Sequence, residues 1–570
     1  MDDIHRNRFH VADTLEDCCR LVGGDVVLKN IGAILKQEVE RVSSLQSQQQ
    51  QLLEWHTIES CFRALISAAR FIPHDENEVL PYAMSLIPNL PAYVTHLRTS
   101  ANLMVGSYAM WLNRHPEQLH PILPFLAQGL SEPKCASSAA VAIKQLCENC
   151  STQFSLGDSV LQLYDGIVAA QMQQQPVLDL KDELEVLEGA CKAISRKLEE
   201  MVRSSQSEGI SSYVTRIVEP IGSRLVQYAS NESTAGPKQV VAEVERLTVV
   251  VRFLNVPTMS MGIGGNDGNA GRAKFLTDLM TQCWPYLDSI SLKYTDFNMA
   301  EKLCRLHKHC LRNCGAAAYK PVFGRLCTQL VRNYAHSRQS PYLYAASICI
   351  SEYSKDPSCT EQLYEMLAEM GKSSFALLRS MEDFKNHPDV VEELFFLAGR
   401  MVVCCPEAFI ASVMFHPFIQ CAAVGMKQDH KDANRGTLSF LDNALSFGFV
   451  NHDSSGSGGA GAGACKQSLE YAIGQEGQQI ATNLILALVG ELPCYRVATN
   501  TGSIAGILHK LYRLCPGMLL EWISVPLSKV SETEKGILMN AFNPNTSLQD
   551  FFATCERFAS VCSKSQKMGR

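Results

Sequence analysis

The chain has 570 residues and a net charge of −7 at pH 7, with a pI of about 6.1. That length exceeds the roughly 250–300 residues at which a single hydrophobic core stops growing, so it requires several domains or an extended repeat array. The acidic balance argues against a direct nucleic-acid binder, which is ordinarily basic, and no apolar run reaches the ~18 residues of a membrane span.

Met1–Phe9 is too polar and charged for a secretory signal. The 22 cysteines stand singly or as adjacent pairs such as Cys18–Cys19 and Cys404–Cys405. Without a disulfide-scaffold rhythm they read as reduced, mostly buried thiols of an intracellular protein.

Apolar residues recurring at three and four positions predict helices almost throughout. The first are Val11–Val22, Val26–Val42, Leu52–Phe71, Tyr93–Leu112, Leu119–Leu130, Ala136–Cys147, Val160–Met172 and Leu178–Val202. The middle of the chain adds Val214–Tyr228, Val240–Leu254, Ala273–Leu292, Val322–Tyr334, Tyr342–Tyr353 and Glu361–Met370. Val390–Cys404, Gly436–Phe447, Leu469–Leu492, Ile504–Leu514 and Leu548–Val561 complete the set. Pro, Gly, Asn and Ser breaks separate them, as at Pro88–Pro91, Pro116, Pro133, Pro388 and Pro406. Alternating strand patterns are nearly absent.

The pairs recur about every 40 residues, the spacing of HEAT-type repeats. In such arrays each pair hides its apolar face only by stacking on its neighbours. The expected fold is therefore all-α: a superhelical, armadillo-like solenoid of antiparallel helix pairs running over residues 1–570 as one array. Leu97–Trp111 and Ala136–Cys150 read as inner helices, the second small enough in its side chains for close approach. Ser43–Gln51, Ser260–Arg272 and Asp453–Gly463 read by composition as loops.

Few residues suggest chemistry. The glycines of Gly262–Gly268 follow the β-branched run Val249–Val256 and mimic a dinucleotide loop, but no strand–helix–strand unit surrounds them. Cys147 and Cys150 form one C-x-x-C with no second pair near, short of the four ligands of a structural zinc site. His307, Cys310 and Cys314 share a face with Leu303, Leu306 and Leu311, which suits packing better than a soft metal. No catalytic motif frames a nucleophile. The reading is a non-enzyme with no cofactor and no metal.

The stretch Met299–Gly315, MAEKLCRLHKHCLRNCG, stands apart. On a helical wheel Lys302, Arg305, Lys308 and Arg312 fall on one arc with His309 at its edge, opposite Met299, Leu303, Leu306, Cys310 and Leu311. One face packs, and the other is a cationic ladder that is either a docking strip for anions or an ordinary solvated face.

Several segments resemble one family in the same order. Asn386–Arg400 (NHPDVVEELFFLAGR), Asp429–Leu445 (DHKDANRGTLSFLDNAL), Ser340–Asp356 (SPYLYAASICISEYSKD), and Leu97–Ser100 with Ala136–Cys147 are similar to transportin-SR nuclear import receptors of the importin-β superfamily. The resemblance runs from about residue 10 to the end and is weakest at 200–270. It implies a receptor that shuttles between cytoplasm and nucleus and carries Arg/Ser-rich, splicing-factor-type cargo. It also implies contacts with nucleoporins and with the GTPase Ran. Met299–Gly315 resembles the helix that receives phosphorylated cargo, with Lys302, Arg305, Lys308 and Arg312 on its basic positions. Two of these are Lys, which keeps the charge but loses bidentate phosphate geometry. Family members also begin with a long Ran-binding set of repeats that this sequence does not display, so cargo holding with weakened Ran-driven release is expected. Another importin-β-type receptor with different cargo, or a helical-repeat scaffold of a larger complex, is the alternative.

Overall fold

The computed structural model describes residues 2–568, apart from 46–53, 92, 154, 174–177, 207, 231–232, 258–267, 451–459 and 493–500. Among the described residues every regular element is a helix. The helix starts show why. Proline, whose missing N–H costs nothing in the first turn, opens Pro116–Leu130, Pro237–Phe253, Pro341–Tyr353, Pro388–Cys404 and Pro516–Leu527. Ser380 with Asp383 and Ser531 with Glu534 form reciprocal capping boxes.

Two compact units divide the chain, Met1–Cys283 and Trp284–Arg570. In the first, Thr95–Ser107 packs on Ala136–Asn149, that helix on Leu180–Arg203, and that on Pro237–Phe253. Pro116–Leu130, Leu156–Met172 and Ile210–Ala229 back the last three of these. The approach is close because the facing residues are small. Ala136, Ala139, Ala140 and Ala142 are buried, and a Cβ on Gly189 would lie 3.2 Å from the Lys144 Cα. Buried polar groups tie the layers. Arg98 donates to the Phe125 carbonyl and Gln128 at 3.3 Å, and Asn102 donates to the Ser138 hydroxyl at 3.0 Å. Arg246 bridges Glu183 at 2.6 Å and Glu243 at 2.5 Å, and Arg224 joins Glu243 at 2.5 Å.

In the second unit one layer runs through Phe297–Cys314, Pro341–Tyr353, Pro388–Cys404, Lys431–Val450, Thr501–Leu514 and Leu548–Met568. Ala316–Ser337 and Thr360–Leu377 lie against each other behind it. Phe297–Cys314 and Ala316–Ser337 pack together across the single residue Gly315, a connection short enough to make them antiparallel.

The expected all-α stack of helix pairs is found within each unit. Two readings change. Residues 268–272, read as loop, open the helix Gly268–Lys293; the Arg272 guanidinium donates to the Arg252 carbonyl at 2.6 Å and anchors that start. Residues 460–463 open Ala460–Val489, where alternating alanines favour helix over the glycines between them. The helix read over Val240–Leu254 is found as the end of Pro237–Phe253, with the β-branched Val249, Val250 and Val251 buried. The remainder of the two Gly-rich segments, and most of Ser43–Gln51, lie outside the described residues.

Candidate functional site: a cationic row on one helix

Asp296 opens the Phe297–Cys314 helix, its carboxylate accepting from the Met299 N–H at 3.2 Å. Gly315 closes it in the left-handed region, at φ +76°, where a side chain would be strained. Met299, Leu303, Leu306, Cys310 and Leu311 are buried, as are Cys304 and Cys314. The packing face is the one the wheel assigns.

The four cations occupy the opposite arc but are not equivalent. Arg305 is exposed and makes no ion pair or hydrogen bond with any described residue. Arg312 is half-exposed, with its Nε 4.0 Å from a Glu352 oxygen, at the outer limit of an ion pair. Lys308 donates from Nζ to the Tyr344 hydroxyl at 2.8 Å and stands 5.1 Å from the centre of that ring. Lys302 keeps only 19% of its side chain exposed, with its amine 4.0 Å from Glu301.

Seven residues at 100° each fall about 20° short of two turns, so Arg305 and Arg312 stand almost in line, about 10.5 Å apart along the axis. Lys308 turns off the line toward Pro341–Tyr353, and Lys302 lies on the other flank. Two guanidinium groups with planar donor forks, aligned and open to solvent, suit phosphate or carboxylate oxygens.

His307 is buried, with its ring 5.3 Å from that of Trp284. Burial lowers its pKa to about 4, so it is neutral at pH 7 and adds no charge to the row. Cys310 and Cys314 are buried beside it, and no group of three or more His, Cys, Asp or Glu among the described residues is placed to hold a metal. Cys147 and Cys150 are buried, and burial pushes both thiols up. Of the glycine-rich stretch that mimics a dinucleotide loop, residues 262–267 lie outside the described residues. Among the described residues no helix is long and apolar enough to cross a membrane.

Sequence reasoning missed Tyr344 and Glu352, which flank the row from the next helix of the layer. Tyr344 follows Lys308 by 36 residues, close to one repeat period, and that offset was the available signal.

Two family models match the chain. The Transportin-3/Importin-13 third TPR domain covers residues 77–162, and the fourth covers residues 276–378, which include the whole basic helix and Tyr344. Transportin MOS14 of Arabidopsis thaliana is 23% identical over 99% of this chain and 56% of its own length. The mRNA transport regulator MTR10 of Saccharomyces cerevisiae is 21% identical over 78% of this chain and 44% of its own. Importin-13 of Homo sapiens is 18% identical over 91% and 50%. The chain thus spans about half the length of the curated relatives it matches. Two family models and three relatives of one kind, on a stack of helix pairs, make this chain similar to receptors of the importin-β, or karyopherin-β, family.

Proposed function

We propose that this chain acts in nuclear import by binding rather than catalysis, and that it holds Arg/Ser-rich cargo through phosphoserines seated on Arg305 and Arg312, with Lys302 and Lys308 at the flanks. The observation that carries the reading is the exposed, in-line pair Arg305 and Arg312 on a helix inside the fourth-domain match. A phosphoserine brings about −1.5 to −2 charges and three acceptor oxygens, and an arginine fork meets two of those oxygens at once. Ran, nucleoporins and shuttling between cytoplasm and nucleus belong to the same proposal through the family.

Titration of a labelled, doubly phosphorylated Arg/Ser peptide tests it. A charge-assisted hydrogen bond contributes about 1.5–3 kcal/mol, so Arg305→Ala with Arg312→Ala should weaken binding at least tenfold, with circular dichroism unchanged. Equal affinities would return the helix to the role of a solvated face. The second reading, an importin-β-type receptor with other cargo, draws on the held position of Lys308 and the largely covered Lys302, which leave Arg305 and Arg312 as the open forks where four basic positions were expected. Binding of the unphosphorylated peptide as tightly as the phosphorylated one would favour it.

A further inference from the structure

We infer that the row selects phosphates three residues apart, and that Tyr344 sets this spacing by holding Lys308 aside. The inference rests on the phosphopeptide reading above and names the pattern within it. The open donors, Arg305 and Arg312, are separated by about 10.5 Å along the helix. A polyproline-II peptide has three residues per turn and a rise of about 3.1 Å, so its i and i+3 side chains share a face about 9.3 Å apart. An extended strand puts i and i+2 on one face about 6.7 Å apart and i and i+4 about 13.4 Å apart. The row falls between those two values and near the polyproline-II repeat.

Lys308 is the residue that could change this. It lies about 4.5 Å along the axis from Arg305 and about 6 Å from Arg312, so a freed Lys308 would give the row a step suited to alternate phosphoserines. Instead its amine is hydrogen-bonded to the Tyr344 hydroxyl at 2.8 Å and lies against the ring. Tyr344 itself comes from Pro341–Tyr353, a helix fixed by the buried Tyr342, Leu343, Ala345 and Ala346. The clamp therefore has a rigid base. Glu352, two turns further on, faces Arg312 at 4.0 Å without closing on it, so that fork remains available. Tyr344 acts here as a specificity-determining residue, since it works through Lys308.

The test uses the full chain and two fluorescent peptides of identical composition, one phosphorylated at serines i and i+2 and the other at i and i+3. Anisotropy should give wild type a preference of about fivefold for i,i+3, the equivalent of roughly 1 kcal/mol. Tyr344→Leu should tighten binding of the i,i+2 peptide and bring the ratio to about one, leaving the i,i+3 affinity within about twofold. Tyr344→Phe, which keeps the ring contact and removes the hydrogen bond, should fall between. A wild-type ratio near one overturns the inference, as does a ratio that Tyr344→Leu leaves unchanged with circular dichroism intact. Failure of both peptides to bind wild type, or equal binding to the Arg305→Ala, Arg312→Ala protein, defeats the phosphopeptide reading and the spacing inference with it.

Discussion

His307 shows how one residue can sit in a basic stretch and contribute none of its charge. Buried against Trp284, its folded-state pKa lies near 4, below the usual 6.5. Because the folded form takes up a proton less readily than the unfolded one, stability is fully present above about pH 6.5 and is lost as pH falls toward 4. At pH 5 the loss should be about 2 kcal/mol. Urea midpoints at pH 7 and pH 5 measure it: wild type should weaken, and His307→Phe, which keeps an aromatic ring beside Trp284, should remove most of that difference. An unchanged slope in the variant would place the acid sensitivity elsewhere. At this scale the sequence read well. The wheel separated Arg305 and Arg312 from Leu303, Leu306 and Cys310, because helical period alone decides that partition. It could not separate Lys308 from Arg305, since the difference lies in Tyr344 on another helix.

Between elements, glycine positions divide by what faces them. A Cβ on Gly436 would lie 2.9 Å from the Glu392 carbonyl oxygen, where Lys431–Val450 crosses Pro388–Cys404. Gly474, in Ala460–Val489, meets nothing within 4 Å. Alanine raises helix propensity by about 1 kcal/mol at either site, but backbone overpacking costs about 1–3 kcal/mol. Gly436→Ala should therefore lower the melting temperature and Gly474→Ala should raise it, and the opposite order in thermal scans would refute this packing. The buried chain Glu183–Arg246–Glu243–Arg224 joins Leu180–Arg203, Pro237–Phe253 and Ile210–Ala229. Arg246→Ala strands buried carboxylates and should cost about 3–5 kcal/mol; a change under about 1 kcal/mol would show the network to be dispensable. Helix existence was legible where four or more turns kept a period. Leu80–Leu86, Phe415–Gly425, Pro516–Leu527 and Glu532–Met539 are among those that went unread, since two or three turns give too few repeats of the pattern. Pro116 and Pro388, read as breaks, are helix starts, because proline punctuates both.

Across the whole molecule the charge is −7, so the row is a cationic island on an acidic protein. Its pull on a phosphopeptide is local and screened: the Debye length falls from about 10 Å at 0.1 M salt to about 3 Å at 1 M. Affinity should drop by about tenfold between 0.05 and 0.5 M salt, and salt-insensitive binding would point to an apolar contact instead. The two-unit division at 283/284 was not legible, because the periodic pattern runs through it without a break in composition.

The left-handed turn at Gly315 has one more consequence. It reverses the chain directly after Cys314, so the row cannot grow a further in-line arginine beyond Arg312, and the in-line position before Arg305 is the uncharged Asn298. A longer repetitive peptide therefore gains no additional contact on this helix. What it gains is multiplicity, since each equivalent pair of phosphates is another register in which the same two forks are filled. Four registers are worth only about 0.8 kcal/mol, by RT ln 4. Such cargo would slide between registers rather than lock into one, and its exchange rate would rise with length while its affinity barely changed.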